Sequence, residues 1–280
     1  MKEIHFNDIA DKIAQMCIDA ACNLDEDILS ALDRSIEIEK SLLGLEVLKQ
    51  LKENAKIAKD EGLPVCQDTG MSLFFVELGE DVRIKGGLLN DAINEGVRQG
   101  YKKGYLRKSI VNDPLTRRNT QDNTPAIIHT ELVAGNNLKI NFKIVGAGCE
   151  NMSKIKMLKP TEGGAGIKSF VIDTVKEGGI NACPPLIVGI GLGGNFEMCA
   201  ILAKKSLMRP IGQPNKKMEI ASLEEDILKD INKLGIGPAG FGGKVTALAV
   251  HIETYPCHIA SLPVAVNLNC HASRKKALIL

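Results

Sequence analysis

Tryptophan is absent from this 280-residue chain and aromatic residues make up only 4% of it. That removes the stacking platforms on which single-strand nucleic-acid binders rely. An excess of charge is missing too. Lys plus Arg number 35 against 34 for Asp plus Glu, a net of +1, so there is no electrostatic case for a polyanionic partner. No apolar run reaches the length of about 18 residues that a membrane span needs. The polar, acidic start from Met1 to Asp8 lacks the apolar stretch of a secretion signal. No internal repeat or low-complexity linker interrupts the chain. These absences lead to the expectation of a cytoplasmic protein with neither nucleic acid nor membrane as partner. The 44% hydrophobic content is enough for one large core or two smaller ones.

Cysteine, by contrast, is plentiful, at eight residues. In a reducing compartment disulfides explain them poorly, and the default for a free cysteine is a small buried apolar residue. Cys17 and Cys22 fit that default. Ile9, Ile13, Cys17 and Ala20 recur at helical spacing with Asn7 as a candidate cap. Leu48, Leu51, Ala55 and Ala58 repeat the pattern in a helix that Gly62 and Pro64 end.

From residue 64 the periodicity changes. Residues 71–78 read as a strand and 88–102 as an amphipathic helix. Residues 127–133 and 138–145 read as a hairpin across Gly135-Asn136-Asn137. Residues 167–176 and 196–207 are expected to be helical, with a buried strand at 186–190 running into Gly191. Ser222 with Glu225 suggests a capping box for a helix through Leu234, and 245–252 and 262–266 suggest strands. The fold class expected is mixed α/β (α+β). It would be one subunit domain over 1–280, mainly helical over 1–62 and mixed-sheet over 63–280, with residues 62–64 the best candidate boundary.

Gly189-Ile190-Gly191-Leu192-Gly193-Gly194 fits G-x-G-x-x-G between a strand and a helix, as a dinucleotide fingerprint does. No acidic residue ends a second strand about 20 residues on, where Arg209-Pro210-Ile211-Gly212 stands instead. Close strand–helix packing explains these glycines equally well. Lys168-Ser169 suggests a P-loop, but Ile167 occupies the required glycine position.

Three cysteines stand apart from the apolar stripes. Cys66 lies in Pro64-Val65-Cys66-Gln67-Asp68-Thr69-Gly70, Cys183 in Asn181-Ala182-Cys183-Pro184-Pro185, and Cys270 in Asn267-Leu268-Asn269-Cys270-His271, after the last expected strand. Three thiolates match neither a four-ligand structural zinc site nor the closely spaced cysteines of ferredoxins. A cluster held by three cysteines would leave one iron open to substrate as a Lewis acid. Spacing alone does not establish this. The neighbours add to it: Gln67 offers an amide to a carboxylate, and Asp68 an acid–base group. Arg107 opens a polar segment containing Arg117, Arg118, Asn119, Thr120, Asp122 and Asn123. An arginine fork suits a dicarboxylate, although a solvated charged loop reads the same way. His258, between Pro256 and Pro263, is a candidate proton donor or carboxylate partner.

Taken in order, these segments resemble the N-terminal part of the class I, oxygen-sensitive fumarases and the α subunit of L(+)-tartrate dehydratase. The matching stretches are Val65-Cys66-Gln67-Asp68-Thr69-Gly70, Asp113-Pro114-Leu115 with Asn119-Thr120, and Gly148-Cys149-Glu150-Asn151. Ala182-Cys183-Pro184-Pro185, Gly191-Leu192-Gly193-Gly194, Phe241-Gly242-Gly243-Lys244 and His258 through Cys270 continue the series.

The resemblance implies that Cys66, Cys183 and Cys270 ligate a 4Fe–4S cluster whose fourth iron binds the substrate's hydroxyl and a carboxylate. Gln67, Asp68, Arg107 and His258 then match substrate-contacting positions, with Asp68 and His258 in acid–base roles. The glycine loop 146–148 approaches the substrate, through Gly148 in particular. Cys149 falls where relatives carry Cys or Ser, which argues against a ligand role. Val145 stands where the family usually has lysine, so any role of that lysine would pass to Lys143. The resemblance is to the separate α subunit, which implies a β subunit as partner and a homodimer or α2β2 assembly. The activity expected is reversible hydration of fumarate to L-malate, with L(+)-tartrate dehydration as the alternative. A non-catalytic iron–sulfur sensor is the reading from another class; it would need the cysteines but not Gln67, Asp68, Arg107 and His258.

Overall fold

The computed structural model describes all 280 residues. In chain order, β1 (Lys2–His5), α1 (Phe6–Cys22), α2 (Glu26–Ile38) and α3 (Leu42–Glu61) come first. β2 (Met71–Gly79), β3 (Val82–Lys85), α4 (Leu89–Lys103), β4 (Ile127–Val133) and β5 (Leu138–Val145) follow. One helical turn, α5 (Ala147–Glu150), leads to β6 (Lys154–Leu158), α6 (Gly163–Gly178), β7 (Leu186–Gly194) and α7 (Phe196–Ser206). The chain continues through α8 (Met218–Asn232), β8 (Ala247–Cys257), β9 (Leu262–Cys270) and β10 (Lys275–Ile279). The class is the expected α+β with a helical start. The elements fall into two compact units. Unit one comprises Met1–Leu24, Asn54–Ala147 and Arg274–Leu280, and unit two comprises Asp25–Glu53 and Gly148–Ser273.

Unit one is a four-stranded sheet in the order β10-β5-β2-β4 with α1 and α4 packed on one face. Ile9, Ile13, Ile93, Val97 and Tyr101 from the helices meet Phe74, Val76, Ile140 and Phe142 from the strands. The Phe74 and Phe142 rings stack at 4.8 Å. Burying each such side chain stabilises the fold by roughly 1.5–3 kcal/mol. The helices approach closely because α4 presents glycine. A Cβ on Gly96 would lie 2.5 Å from the Ile13 Cβ, and one on Gly100 would lie 2.7 Å from the Ala14 carbonyl oxygen. Helix α1 starts at Phe6, directly after β1, so its cap is His5 with no side-chain bond and not Asn7.

The hairpin expected from residues 127–145 does not form. β4 pairs in parallel with β2, from Leu73↔Ile127 to Gly79↔Val133. β5 pairs antiparallel with the other edge of β2. The reason lies in β2 itself. Leu73 and Phe75 are buried as well as Phe74 and Val76, so β2 is apolar on both faces and takes a central position. The connection between β4 and β5 passes over its end. There Gly79 N donates to the Asn137 carbonyl (2.9 Å) and Asp81 N to that of Gly135 (3.0 Å).

Unit two has the order β6-β9-β7-β8, with β7 parallel to β8 and antiparallel to β9. Leu186, Val188, Ile190 and Leu192 of β7 join the core built with Val171 and Val175 of α6 and Ile227 and Ile231 of α8. The alternate residues of β7 face α7. A Cβ on Gly189 would lie 2.4 Å from the Ala203 carbonyl oxygen, and one on Gly191 would lie 1.9 Å from that of Cys199. The glycines of the G-x-G-x-x-G segment are therefore there for close helix packing. Helix α8 begins at Met218 with Lys217 as cap. Ser222 and Glu225 thus lie inside the helix and do not cap it, because Ile220, packed against the core, extends its apolar face toward the N-terminus.

Candidate active site

In unit one the site residues gather on the loop between α3 and β2. Val65 anchors its start: its N–H donates to the Ala21 carbonyl (2.9 Å), and its own carbonyl accepts from Asn54 Nδ2 (2.9 Å). Beyond it, Cys66 is partly exposed and Gln67 exposed, with the Cys66 thiol 3.5 Å from Gln67 Oε1. The Asp68 carboxylate is fixed by main-chain donors. Its Oδ1 accepts from Gly70 N (2.9 Å) and its Oδ2 from Ala147 N (2.8 Å). These two bonds hold one face of the carboxylate and leave lone pairs free for a proton or a substrate donor.

Thr69 Oγ1 donates to the Arg107 carbonyl at 2.6 Å, which ties the exposed Arg107 to the Asp68 loop through its main chain. The buried Tyr101 hydroxyl donates to the Thr69 carbonyl. Asn123, fully buried, donates from Nδ2 to the Gly70 carbonyl (3.2 Å) and accepts Ser109 N (2.7 Å). The polar segment singled out in the sequence is thus anchored beside the Asp68 loop at Asn123, while Arg117, Arg118 and Asn119 are exposed. It carries three non-glycine residues with positive φ, Arg117, Gln121 and Asn123, a concentration of strain that favours a functional reading.

The sequence gives no sign of Arg274. It is 2% exposed, and its Nη1 donates to the Asp68 main-chain carbonyl. In the sequence it merely precedes the polar pair Lys275-Lys276.

In unit two, strand register brings two of the cysteines to one end of the sheet. Leu186 at the start of β7 pairs with Cys270 at the end of β9, and Cys183 lies three residues before Leu186. Cys270 is therefore the last residue of a strand, and another strand, β10, follows it. Cys183 adopts a left-handed conformation (φ 54°, ψ 67°), costly for a residue with a Cβ.

Cys149 joins the pair. Its thiol donates to the Ala182 carbonyl at 3.3 Å, and the adjacent Cys270 thiol and burial hold it well above the ordinary cysteine range. Gly148 is exposed, and a Cβ there would meet only the Asn181 carbonyl oxygen, at 3.9 Å. Packing within unit two therefore does not demand glycine at this position, and the space in front of it is open.

His258 sits at the exposed tip of the β8–β9 connection. Its Nδ1 accepts Ala260 N (3.1 Å), which places any proton of the neutral ring on Nε2. With Gly194, Asn195, Met198 and Tyr255 it lines an open cleft of about 350 Å³. Val145 and Lys143 share one face of β5 by strand alternation, and Lys143 is 1% exposed.

The chemistry of the donors fits an iron–sulfur cluster. Cys17, Cys22 and Cys199 are buried, whereas Cys66, Cys183 and Cys270 are at least partly exposed, outside any disulfide, on loops or strand ends. No three His, Cys, Asp or Glu side chains converge on one point as a single metal ion requires. Ligands of a multi-iron cluster bind different irons and need not converge in that way.

The family model for fumarate hydratase (Fumerase) matches residues 10–279. The chain belongs to this family of hydro-lyases. A protein of Methanocaldococcus jannaschii named "Putative L(+)-tartrate dehydratase subunit alpha" is 41% identical over 273 residues, covering 95% of each chain. The L(+)-tartrate dehydratase subunit alpha of Escherichia coli O157:H7 is 30% identical over 282 residues, covering 100% of this chain and 93% of the relative. No helix is long and apolar enough to cross a membrane.

Proposed function

We propose that this chain is the α subunit of a two-subunit hydro-lyase that interconverts fumarate and L-malate, with a 4Fe–4S cluster held by Cys66, Cys183 and Cys270. The observation that carries the reading is the Asp68 carboxylate, clamped by Gly70 N and Ala147 N two residues after Cys66. When bound, such a cluster supplies a Lewis-acidic iron for the hydroxyl that is lost or gained. The other tasks belong to side chains of this protein. Asp68 takes or returns the proton at that hydroxyl. Gln67 donates its amide, and Arg107 its guanidinium, to the carboxylates, which turns binding into positioning. Gly148 leaves the room that a substrate carboxylate needs beside the backbone. His258 offers Nε2 as a second proton carrier or carboxylate partner. A β subunit completes the enzyme, as the names of the relatives suggest, in an α2β2 or other oligomer in the cytoplasm.

A second reading, L(+)-tartrate as substrate, is favoured by those same names. Malate and tartrate differ by one hydroxyl, and a site built to hydrogen-bond that group discriminates strongly against the analogue lacking it. The test is kcat/KM for both substrates on the anaerobically reconstituted complex of this chain with its β subunit. A higher value for malate is expected. A preference for tartrate would replace the substrate while keeping the class, and no turnover of either would overturn the reading.

A further inference from the structure

We propose that Arg274 is a positioning residue that fixes Asp68 for proton transfer, an inference that rests on the hydro-lyase reading above. Arg274 is buried, 2% exposed. Nε has no hydrogen-bond partner at all. A buried Nε left without a partner is disfavoured, and an apolar side chain of the same length would leave nothing unsatisfied. Structural convenience is therefore a poor explanation for arginine here.

What it does touch is specific. Nη1 donates to the Asp68 main-chain carbonyl. Nη2 borders Gly146, where an added Cβ would lie 3.4 Å from Nη2 and 3.3 Å from Asp68 Oδ2. Gly146 in turn precedes Ala147, whose N–H holds the other end of the Asp68 carboxylate.

The fold explains how a residue so far along the chain reaches this loop. Ile144 N donates to the Arg274 carbonyl at 2.9 Å, which extends the β10–β5 ladder by one residue beyond Lys275↔Lys143. Ile144 pairs in turn with Ser72 at the start of β2. Arg274 thus stands in a fixed row across three strands, at the sheet end from which the Asp68 loop emerges. The guanidinium locks the peptide after Asp68 against the turn that follows β5. The two N–H groups on the carboxylate then keep their spacing. Positioning of this kind is worth much in rate, since a misplacement of about 1 Å costs on the order of a hundredfold.

The experiment uses the reconstituted complex with its β subunit and compares wild type, Arg274→Met, Arg274→Lys, Asp68→Asn and the Asp68→Asn/Arg274→Met double variant. The readouts are kcat, KM, iron and sulfide content, and thermal midpoint. Arg274→Met is expected to lower kcat by about a hundredfold. Its KM should stay within about twofold, and its cluster content and thermal midpoint should be kept or improved, since an unsatisfied buried donor is gone. Arg274→Lys, which retains a donor for the Asp68 carbonyl, should recover part of the loss. The double variant should turn over as slowly as Asp68→Asn alone, because a residue acting through Asp68 has nothing left to position.

Unchanged kcat in Arg274→Met would overturn the proposal. So would losses that multiply in the double variant, or a fall in stability and cluster content that tracks the fall in kcat. If Arg274→Met does not fold, Arg274→Lys decides, with kcat unchanged or stability lost counting against the proposal. Absence of turnover in the wild-type complex would instead be a failure of the hydro-lyase reading itself.

Discussion

The two units place their candidate functional residues by different means. Unit one clamps a loop: Tyr101, Asn123 and Arg274 reach from side chains to the main chain of Thr69, Gly70 and Asp68, and Thr69 reaches back to Arg107. Unit two relies on register. Antiparallel pairing of β7 with β9 sets Cys270 opposite Leu186 and so near Cys183. The difference suits the chemistry proposed for each. A proton-transfer group needs its orientation fixed to a fraction of an ångström, and a polar network supplies that. Cysteine ligands of a cluster need to arrive together at one end of a sheet, and strand pairing supplies that for Cys183 and Cys270.

The largest effect is expected from removing the proposed acid–base group alone. Asp68→Asn keeps an oxygen that can accept one main-chain N–H but cannot cycle a proton. Turnover of the reconstituted complex should fall by about a thousandfold, while iron, sulfide and visible absorbance stay at wild-type levels. Loss of the cluster along with activity would mean that the loop holds metal more than it moves protons.

Next in size is a test of unit two's packing. Gly191→Ala places a Cβ 1.9 Å from the Cys199 carbonyl oxygen and 2.6 Å from Ala203 N, both main-chain atoms that can yield only if α7 moves. A destabilisation of about 3 kcal/mol is expected, read by urea unfolding. Amide exchange should rise in β7 and α7, while α1 and α4 of unit one retain their protection. A stability equal to wild type would mean that α7 does not pack on β7 as described.

The smallest effect expected is a pH dependence in unit two. Glu39 is 3% exposed. Burial pushes its carboxyl up, but main-chain N–H bonds from Ser41, Lys244, Val245 and Lys40 outweigh this and hold it below the usual carboxylate range. A folded-state pKa below the unfolded one stabilises the protein above the ordinary glutamate value of 4.5 and loses that contribution as pH falls further. The thermal midpoint of wild type should therefore exceed that of Glu39→Gln near neutrality, with the gap closing below pH 4.5. A gap independent of pH would assign Glu39 a packing role only.

Much of this was legible along the chain. The spacing of Ile9, Ile13, Cys17 and Ala20 marked α1, because helical periodicity is a local property. The loop contexts of Cys66, Cys183 and Cys270 separated them from the buried Cys17, Cys22 and Cys199, because turn residues and apolar stripes are local too. The hairpin expected at Gly135-Asn136-Asn137 was misread because two neighbouring strands with a short polar connection look alike whether they pair with each other or flank a third. The apolar residues on both faces of β2 were the signal that it would take the centre. Gly189 and Gly191 fitted a cofactor motif and a packing site equally well in one dimension, and the carbonyls of Ala203 and Cys199 above them decide for packing.

Local pattern along the chain marks the longer helices and the strands β2, β7 and β8, the thiols that stand among turn residues, and Gln67 and Asp68 after Cys66, but not α2, β1, β3, β6 or β10. Long-range pairing alone brings Cys183 and Cys270 to the end of one sheet and rests Arg274 on Asp68, more than 200 residues away in the chain. Pairing of β10 with β5 is a long-range choice, made by burial and hydrogen bonding summed over whole strands. No window of residues around Arg274 contains that information.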